Sequence, residues 1–444
     1  MVIWPHWVSP LRGGNLVENT RVVKSTVSVT PALRGGRNAG VAPAVVGTRR
    51  VIRIVMAGGG TGGHLYPGLA VAEALEQECM GTGGVELIWA ATPRPVDQHL
   101  LSRFGTRYVQ QPVQPLVKRF SKLWGFLRGW HKSCVYWKTY FRKNKVDAVL
   151  ALGGYAAGPA AYVAGKMGIP VGLLNPDAVP GLANRFLLKR VQRIFSQWPL
   201  DQALTHGIPG QVMPLGCPIR GALAQRSRAE GAAKLGLDPT RPTLVVCGGS
   251  LAAKTINDAV VALLADANVQ LALRGEIQEG LPPGQNAAVP PGQECWQIIH
   301  LAGSAQAADV KKAYEPIKGI SWQVLEYCDD MASVWAVADL AIARAGASTC
   351  AELLACGVPS ILLPYPYHRD QHQRHNAAQL VQADAAVLVD DQKDAAANAR
   401  TIKTPLVQLL YEQRTRSLMA TAARAAGKPQ AARDIARALL TLVQ

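Results

Sequence analysis

Short apolar runs recur along this chain, and each is followed by a stretch with helical spacing. The first, residues 51–57, is broken only by Arg53 and is rich in β-branched residues, as a strand buried on both faces requires. Beyond it, residues 68–77 place Leu69, Ala72 and Leu75 on one helical face. Similar runs at 85–90, 148–152 and 170–174 predict further strands of one sheet. After an exposed connection around residues 215–220 the same grammar restarts, with a strand at 242–247, a Gly-Gly loop and a helix at 254–265. Strands at 269–273, 298–301, 324–326, 340–343 and 360–363 follow. Both halves open with strand, glycine loop and helix. The pattern predicts an α/β protein of two Rossmann-like, doubly wound domains facing a cleft. Their expected extents are 51–216 and 217–424, with a C-terminal helix at 425–444 packing back on the first.

Composition agrees, since 444 residues exceed what one core usually organises. The first fifty residues carry seven Lys/Arg, one acid (Glu18) and no hydrophobic period, and are expected to form a disordered extension. Lys24 interrupts their Val-rich stretch, which argues against a secretory signal. Residues 148–165 hold no charge, yet Gly153, Gly154, Gly158 and Pro159 divide them into strand, loop and helix rather than a membrane span. Residues 280–293, with four Pro and three Gly, read as a surface loop. The eight cysteines form no C-x-x-C pair, so neither a metal nor a disulfide framework is expected, and a reducing compartment fits. The net charge of +17 points to a solvated basic surface, or to an anionic substrate, membrane or nucleic acid.

Three loops carry candidate chemistry. Gly58, Gly59, Gly60, Gly62 and Gly63 run into His64, a group able to titrate near neutral pH. Their spacing satisfies G-x-G-x-x-G, so a dinucleotide site is an alternative. Such a site wants an acid at the tip of the second strand, where this chain has Ala90-Ala91-Thr92-Pro93 and no acid before Asp97. In the second loop, Ala347, Ser348 and Thr349 follow a predicted strand and offer backbone N–H groups to a diphosphate. Glu352, one turn further, is placed to accept ribose hydroxyls or simply to complement the helix dipole. The third loop, residues 364–376, offers Asp370, Gln371, His372, Gln373 and Asn376 to sugar hydroxyls. Metal binding by His368, His372 and His375 is the weaker reading there. There is no D-x-D triplet to clasp a metal–diphosphate, and neither metal nor cofactor is expected.

Together these loops resemble the MurG family of glycosyltransferases. Gly153-Gly154-Tyr155, Gly181-Leu182 with Asn184, Cys217-Pro218-Ile219-Arg220, Gly248-Gly249-Ser250 and Asp329-Asp330-Met331 follow in family order. The resemblance implies the two-domain GT-B fold and transfer of N-acetylglucosamine from UDP-GlcNAc to a lipid-linked muramyl-pentapeptide. By the same resemblance, Thr61, Gly62 and Gly63 contact the donor, and Arg220 with the amide of Ser250 meets the diphosphate. The backbone at Cys328 reads uracil, Ala347, Ser348 and Thr349 present amides, Glu352 holds the ribose, and Gln373 holds the sugar. Tyr155, Asp177 and Asn184 are further substrate-side positions, and His64 is the candidate acceptor of the attacking hydroxyl's proton. Two positions depart from the family pattern: Asp177 stands where Asn is usual, and Leu251 where Gln is usual.

A lipid-linked acceptor also gives meaning to residues 116–145. No acid lies between Asp97 and Asp147, while eleven Lys/Arg and many aromatic residues alternate there. The expectation is peripheral attachment to anionic lipid at the cytoplasmic face of the cell membrane, with no nucleic-acid partner.

Overall fold

A computed structural model describes residues 18–19, 50–115, 120–249, 253–276 and 295–443. Two compact units divide the chain. One combines residues up to Leu65 with Cys79–Gly172, the other Tyr66–Glu78 with Leu173–Leu442. The boundaries fall inside the helix Gly62–Glu78 and the strand Val171–Asn175.

One sheet contains β1 (Glu18–Asn19), β2 (Ile52–Gly58), β3 (Val85–Ala91), β4 (Tyr108–Gln110), β5 (Ala148–Gly153), β6 (Val171–Asn175), β7 (Arg193–Ser196) and β8 (Gln211–Met213). Their order is β1-β4-β3-β2-β5-β6-β7-β8, with β2 in register beside both β3 and β5 and parallel to them. The other sheet holds β9 (Thr243–Cys247), β10 (Gln297–Leu301), β11 (Ser321–Leu325), β12 (Leu340–Ala343), β13 (Ser360–Leu362) and β14 (Ala386–Leu388). It is parallel throughout, in the order β11-β10-β9-β12-β13-β14. The chain therefore reverses its winding direction at β9, as a dinucleotide-type fold does, and loops at the carboxyl ends of β9 and β12 meet at the switch point. The expected pair of Rossmann-like α/β domains is what forms.

Of the expected N-terminal extension, Glu18–Asn19 pairs antiparallel with Val109 and Tyr108, and residues 1–17 and 20–49 lie outside the described residues. A second departure is the strand expected at 269–273, which is the helix Ala267–Arg274. Val-Gln-Leu-Ala-Leu alternates enough to read as a strand, yet Val269, Ala272 and Leu273 are buried at helical spacing. Asp266 caps the helix start by accepting from the amides of Asn268 and Val269, and Gly275, at φ 68°, ends it in the left-handed region. The loop expected at 280–293 lies outside the described residues. The C-terminal stretch forms two helices, Gln413–Ala426 and Ala431–Leu440. Arg433 and Arg437 of the second pair with Glu78 at 2.5 and 2.9 Å.

The helix Phe120–Lys143 shows how one amphipathic element divides its aromatic residues. Trp137 is fully buried, and its indole N–H donates to Gln111 Oε1 at 2.8 Å. The amide of Gln111 in turn donates to the carbonyl of Ala156 at 3.0 Å. Trp130 lies against Gly158 so closely that a Cβ there would meet its ring at 2.5 Å. Trp137 and the buried Phe141 belong to the core rather than to an interface, and Trp130 is partly buried. Trp124, 76 % exposed, and its neighbours Leu123 and Leu127 remain on the outside. Among the described residues no single helix is long and apolar enough to cross a membrane.

Candidate active site

In the first unit the glycine loop is held by a residue that sequence reasoning dismissed. Asp97 is completely buried, and its carboxylate accepts from the amides of Gly60 at 2.7 Å and Thr92 at 2.8 Å and from the Thr92 hydroxyl at 2.7 Å. A buried carboxylate is stable only when so supplied with donors. Gly59 lies so close that a Cβ there would sit 2.2 Å from Asp97 Oδ2. Gly60, at φ 87°, faces the Tyr155 hydroxyl, and its carbonyl accepts from Arg94 at 2.9 Å. Burial pushes the Tyr155 phenol above its ordinary pKa. Asp97, in the first turn of the helix Pro95–Arg103 that follows β3, thus shapes the loop and leaves nothing for a ribose, which removes the dinucleotide alternative.

His64 stands in the first turn of the helix Gly62–Glu78, partly buried. Its Nδ1 lies 3.0 Å from Thr61 Oγ1. Gly154, at φ 72° after β5, lies beneath the ring, where a Cβ would approach His64 Cε1 to 3.0 Å. One ring nitrogen is thereby engaged by Thr61, while Thr61 and Gly63 themselves are exposed and Gly62 is buried. The loop brings His64, Thr61 and Tyr155 to the carboxyl ends of β2 and β5.

In the second unit, β12 ends in Arg344-Ala345-Gly346 and the helix Ala347–Cys356 begins. Arg344 is nearly buried and turns inward. It pairs with Asp391 at 2.7 Å and donates to the carbonyls of Leu363 and Pro364 and to the Thr255 hydroxyl. Burial alone would raise the Asp391 carboxyl. Thr255, Asn398, the Lys393 amide and Arg344 together outweigh it and hold the pKa below the ordinary value. This network fixes the loop so that Ala347, Ser348 and Thr349 present the helix N-terminus, all three partly exposed.

Glu352, one turn in, accepts from Trp335 Nε1 at 2.7 Å. Burial pushes its pKa up to about 7, against the lowering effects of Trp335 and the Arg220 guanidinium. Arg220 itself donates to the Asp329 carbonyl at 3.3 Å, next to Cys328, which is partly exposed. Arg220, Cys328, Glu352 and the amides of 347–349 are therefore gathered around the end of β12. In the third loop, Gln373 Oε1 accepts from the Tyr365 amide at 2.9 Å.

Profile comparison matches the Glycosyltransferase family 28 N-terminal domain to residues 54–196 and its C-terminal domain to residues 243–437. A Desulfitobacterium hafniense protein named UDP-N-acetylglucosamine--N-acetylmuramyl-(pentapeptide) pyrophosphoryl-undecaprenol N-acetylglucosamine transferase is 32% identical over 397 residues, 88% of this chain and 99% of the relative. A protein of the same name from Nitratidesulfovibrio vulgaris is 33% identical over 88% of this chain and 98% of the relative. The crystal structure of Acinetobacter baumannii MurG superposes with a TM-score of 0.62 at 26% identity, covering 88% of this chain and 99% of that one. The chain belongs to the MurG family of glycosyltransferases.

Three side chains of this MurG-family chain that the sequence offered to substrate, Asn376 by its polarity and Asp177 and Asn184 by the family resemblance, have other contacts. Asn376 is fully buried and donates to Asp177 Oδ1 at 3.0 Å and to the Ala345 carbonyl at 3.1 Å, while accepting from the Ala178 amide. It thus belongs to the scaffold rather than among the sugar ligands. Asp177 is held through that amide, which an Asn in its place would also satisfy. The amide of Asn184 donates to the Leu174 carbonyl and to Asn175 Oδ1, bracing the end of β6. Its own Oδ1 is buried with no hydrogen-bond partner among the described residues. Ser250 and Leu251 lie outside the described residues. Asp97 is the residue sequence reasoning missed, and its only signal was position: the first acid after β3, just beyond a Pro that opens a helix.

Proposed function

We propose that this protein transfers N-acetylglucosamine from UDP-N-acetylglucosamine to the muramyl sugar of an undecaprenyl-diphosphate-linked pentapeptide, in peptidoglycan synthesis. The observation that carries this reading is its match, over nearly their whole length, to relatives bearing that name. The chemistry is an inverting displacement. An acceptor hydroxyl attacks the anomeric carbon, its proton passes to a base, and UDP leaves from the opposite face carrying the bond's electrons.

Charge builds on the departing diphosphate. The N-terminal amides at Ala347, Ser348 and Thr349, with Arg220, are preorganised donors for it. Glu352 in its ionised form accepts from the ribose hydroxyls, the backbone at Cys328 reads the uracil edge, and Gln373 holds the sugar. His64 takes the attacking hydroxyl's proton. With Nδ1–H donating to Thr61 Oγ1, the Nε2 lone pair serves as the base. The decisive test is transfer from UDP-GlcNAc to a lipid-linked muramyl-pentapeptide, run beside UDP-glucose. Disaccharide formation with UDP-GlcNAc alone is expected, and absence of transfer would overturn the reading.

The protein works as a peripheral protein at the cytoplasmic face of the membrane. Trp124, Leu123 and Leu127 are exposed beside Arg128, in a stretch free of acids. An indole and two aliphatic chains among cations suit the headgroup boundary of anionic lipid. Binding to anionic vesicles is expected to weaken with salt, and Trp124→Ala with Leu127→Ala to weaken it by roughly tenfold or more. Equal binding to neutral vesicles at every salt concentration would count against the proposal.

A further inference from the structure

The loop between β13 and the helix His372–Gln382 brings together three groups to which the mechanism proposed above gives no role. His368, Asp370 and His372 each offer one ligand atom, and the three atoms lie within 4.8 Å of one another. His372 Nδ1 is 2.8 Å from Asp370 Oδ1. The two imidazoles stack with centroids 4.4 Å apart and planes inclined by 29°. Alternation of the three along the chain would not by itself bring them together. Gln371, a non-glycine residue at φ 45° and ψ 30°, turns the backbone through the left-handed region, and His372 folds back over His368. His375, which the sequence also offered, is not part of the cluster.

We propose that His368, Asp370 and His372 form a binding site for a zinc-type transition-metal dication, and that its occupancy slows sugar transfer. Donors on a tetrahedral zinc sit roughly 3.3 Å apart for bonds of about 2.0–2.1 Å, so the cluster needs only small side-chain rotations to close. Two imidazoles and one carboxylate select zinc, nickel or copper over magnesium and calcium, which prefer oxygen cages. Exposure leaves room for a fourth ligand from water. The start of the following helix disfavours a cation, and the Asp370 charge offsets this. Arg374, the basic side chain nearest in sequence beyond Gln373, is drawn away into an ion pair with Asp390.

The consequence for transfer rests on the role proposed for Gln373. That residue follows His372 directly, and its carboxamide oxygen is already turned to the Tyr365 amide. Tyr365 packs on His368 with ring centroids 4.6 Å apart. A metal joining His368 to His372 locks this arrangement and keeps Gln373 from reorienting toward the sugar.

The test uses the full chain without a histidine tag. Zinc affinity is read by competition with a chromogenic chelator, and cobalt serves as the spectroscopic probe. One zinc with Kd on the order of 1–10 µM is expected, falling in affinity by about tenfold or more in His368→Ala and in His372→Ala. Cobalt should give weak visible bands without thiolate charge transfer, since none of the eight cysteines takes part. His375→Ala should keep the wild-type affinity. Unchanged affinity in both ligand variants, or a thiolate spectrum, would overturn the site. Zinc should inhibit transfer in the wild type and not in His372→Ala, each compared with itself without metal. Binding without inhibition would overturn the link to Gln373, whereas absent transfer in metal-free wild type would instead strike the proposed function.

Discussion

Replacing His64 by alanine is expected to lower kcat by about 100-fold or more while the fold is retained. The ring is partly buried, and the loop beside it is held by Asp97 and Arg94 as well as by the contact with Thr61. What it supplies is a nitrogen lone pair at the mouth of β2 and β5, with the other nitrogen engaged by Thr61. If that lone pair accepts the proton, the loss falls on turnover, and the KM for UDP-GlcNAc changes little. Steady-state kinetics beside a thermal melt separates this from unfolding. Near-normal turnover in a folded variant would sink the assignment. His64→Gln serves as a second check, because it preserves a hydrogen bond to Thr61 without offering a base. It should be nearly as impaired as alanine.

The next largest effect concerns Glu352. With a pKa raised to about 7 by burial, the carboxyl is only partly ionised at neutral pH. Only the carboxylate can accept hydroxyl protons from a ribose at both oxygens. The KM for UDP-GlcNAc should therefore rise as pH falls below 7, by about tenfold per unit once protonation dominates, and flatten above it. Glu352→Gln should raise that KM by roughly 10- to 100-fold and abolish this pH dependence. A flat wild-type profile, or the same slope in the glutamine variant, would remove Glu352 from the donor site.

Linkage supplies an independent reading. An acid whose pKa is raised in the folded state holds its proton more tightly there than in the unfolded chain. Its contribution to stability is greatest below the unfolded pKa and is lost as pH rises through the folded value. At pH 8 the glutamine variant should therefore melt above the wild type, even as it binds donor less well. A group kept at a cost to stability and required by ligand is what a binding carboxylate should be.

Much of this organisation was legible in the sequence because the physics is local. Apolar runs such as 51–57 and 340–343 can hardly be anything but strands between helices, and the two glycine-loop openings disclosed two domains. The short β4, β7 and β8 lack such runs, and each is completed by pairing with a neighbouring strand. Helix 267–274 was hidden because one stretch satisfied both periodicities, and the caps at Asp266 and Gly275 decided between them. In the site, residue types were readable while their allegiance was not. Asn376 looked like a sugar ligand and is buried in the scaffold, whereas Asp97, noted only as an acid too late in the chain for a ribose, organises the loop. Likewise no spacing rule discloses that Glu352 lies in surroundings that push its pKa to about 7.

The contact between Gly59 and Asp97 has a consequence for how this sequence can vary. No side chain fits at 59 while the Asp97 carboxylate occupies its place, and removing that carboxylate strands the amides of Gly60 and Thr92. Each single step passes through a damaged intermediate, one by collision and the other by lost hydrogen bonds. The two sites thus constrain each other. A side chain at 59 needs a residue at 97 that both yields the space and still satisfies those two amides, so the loop tolerates little change whatever sugar it serves.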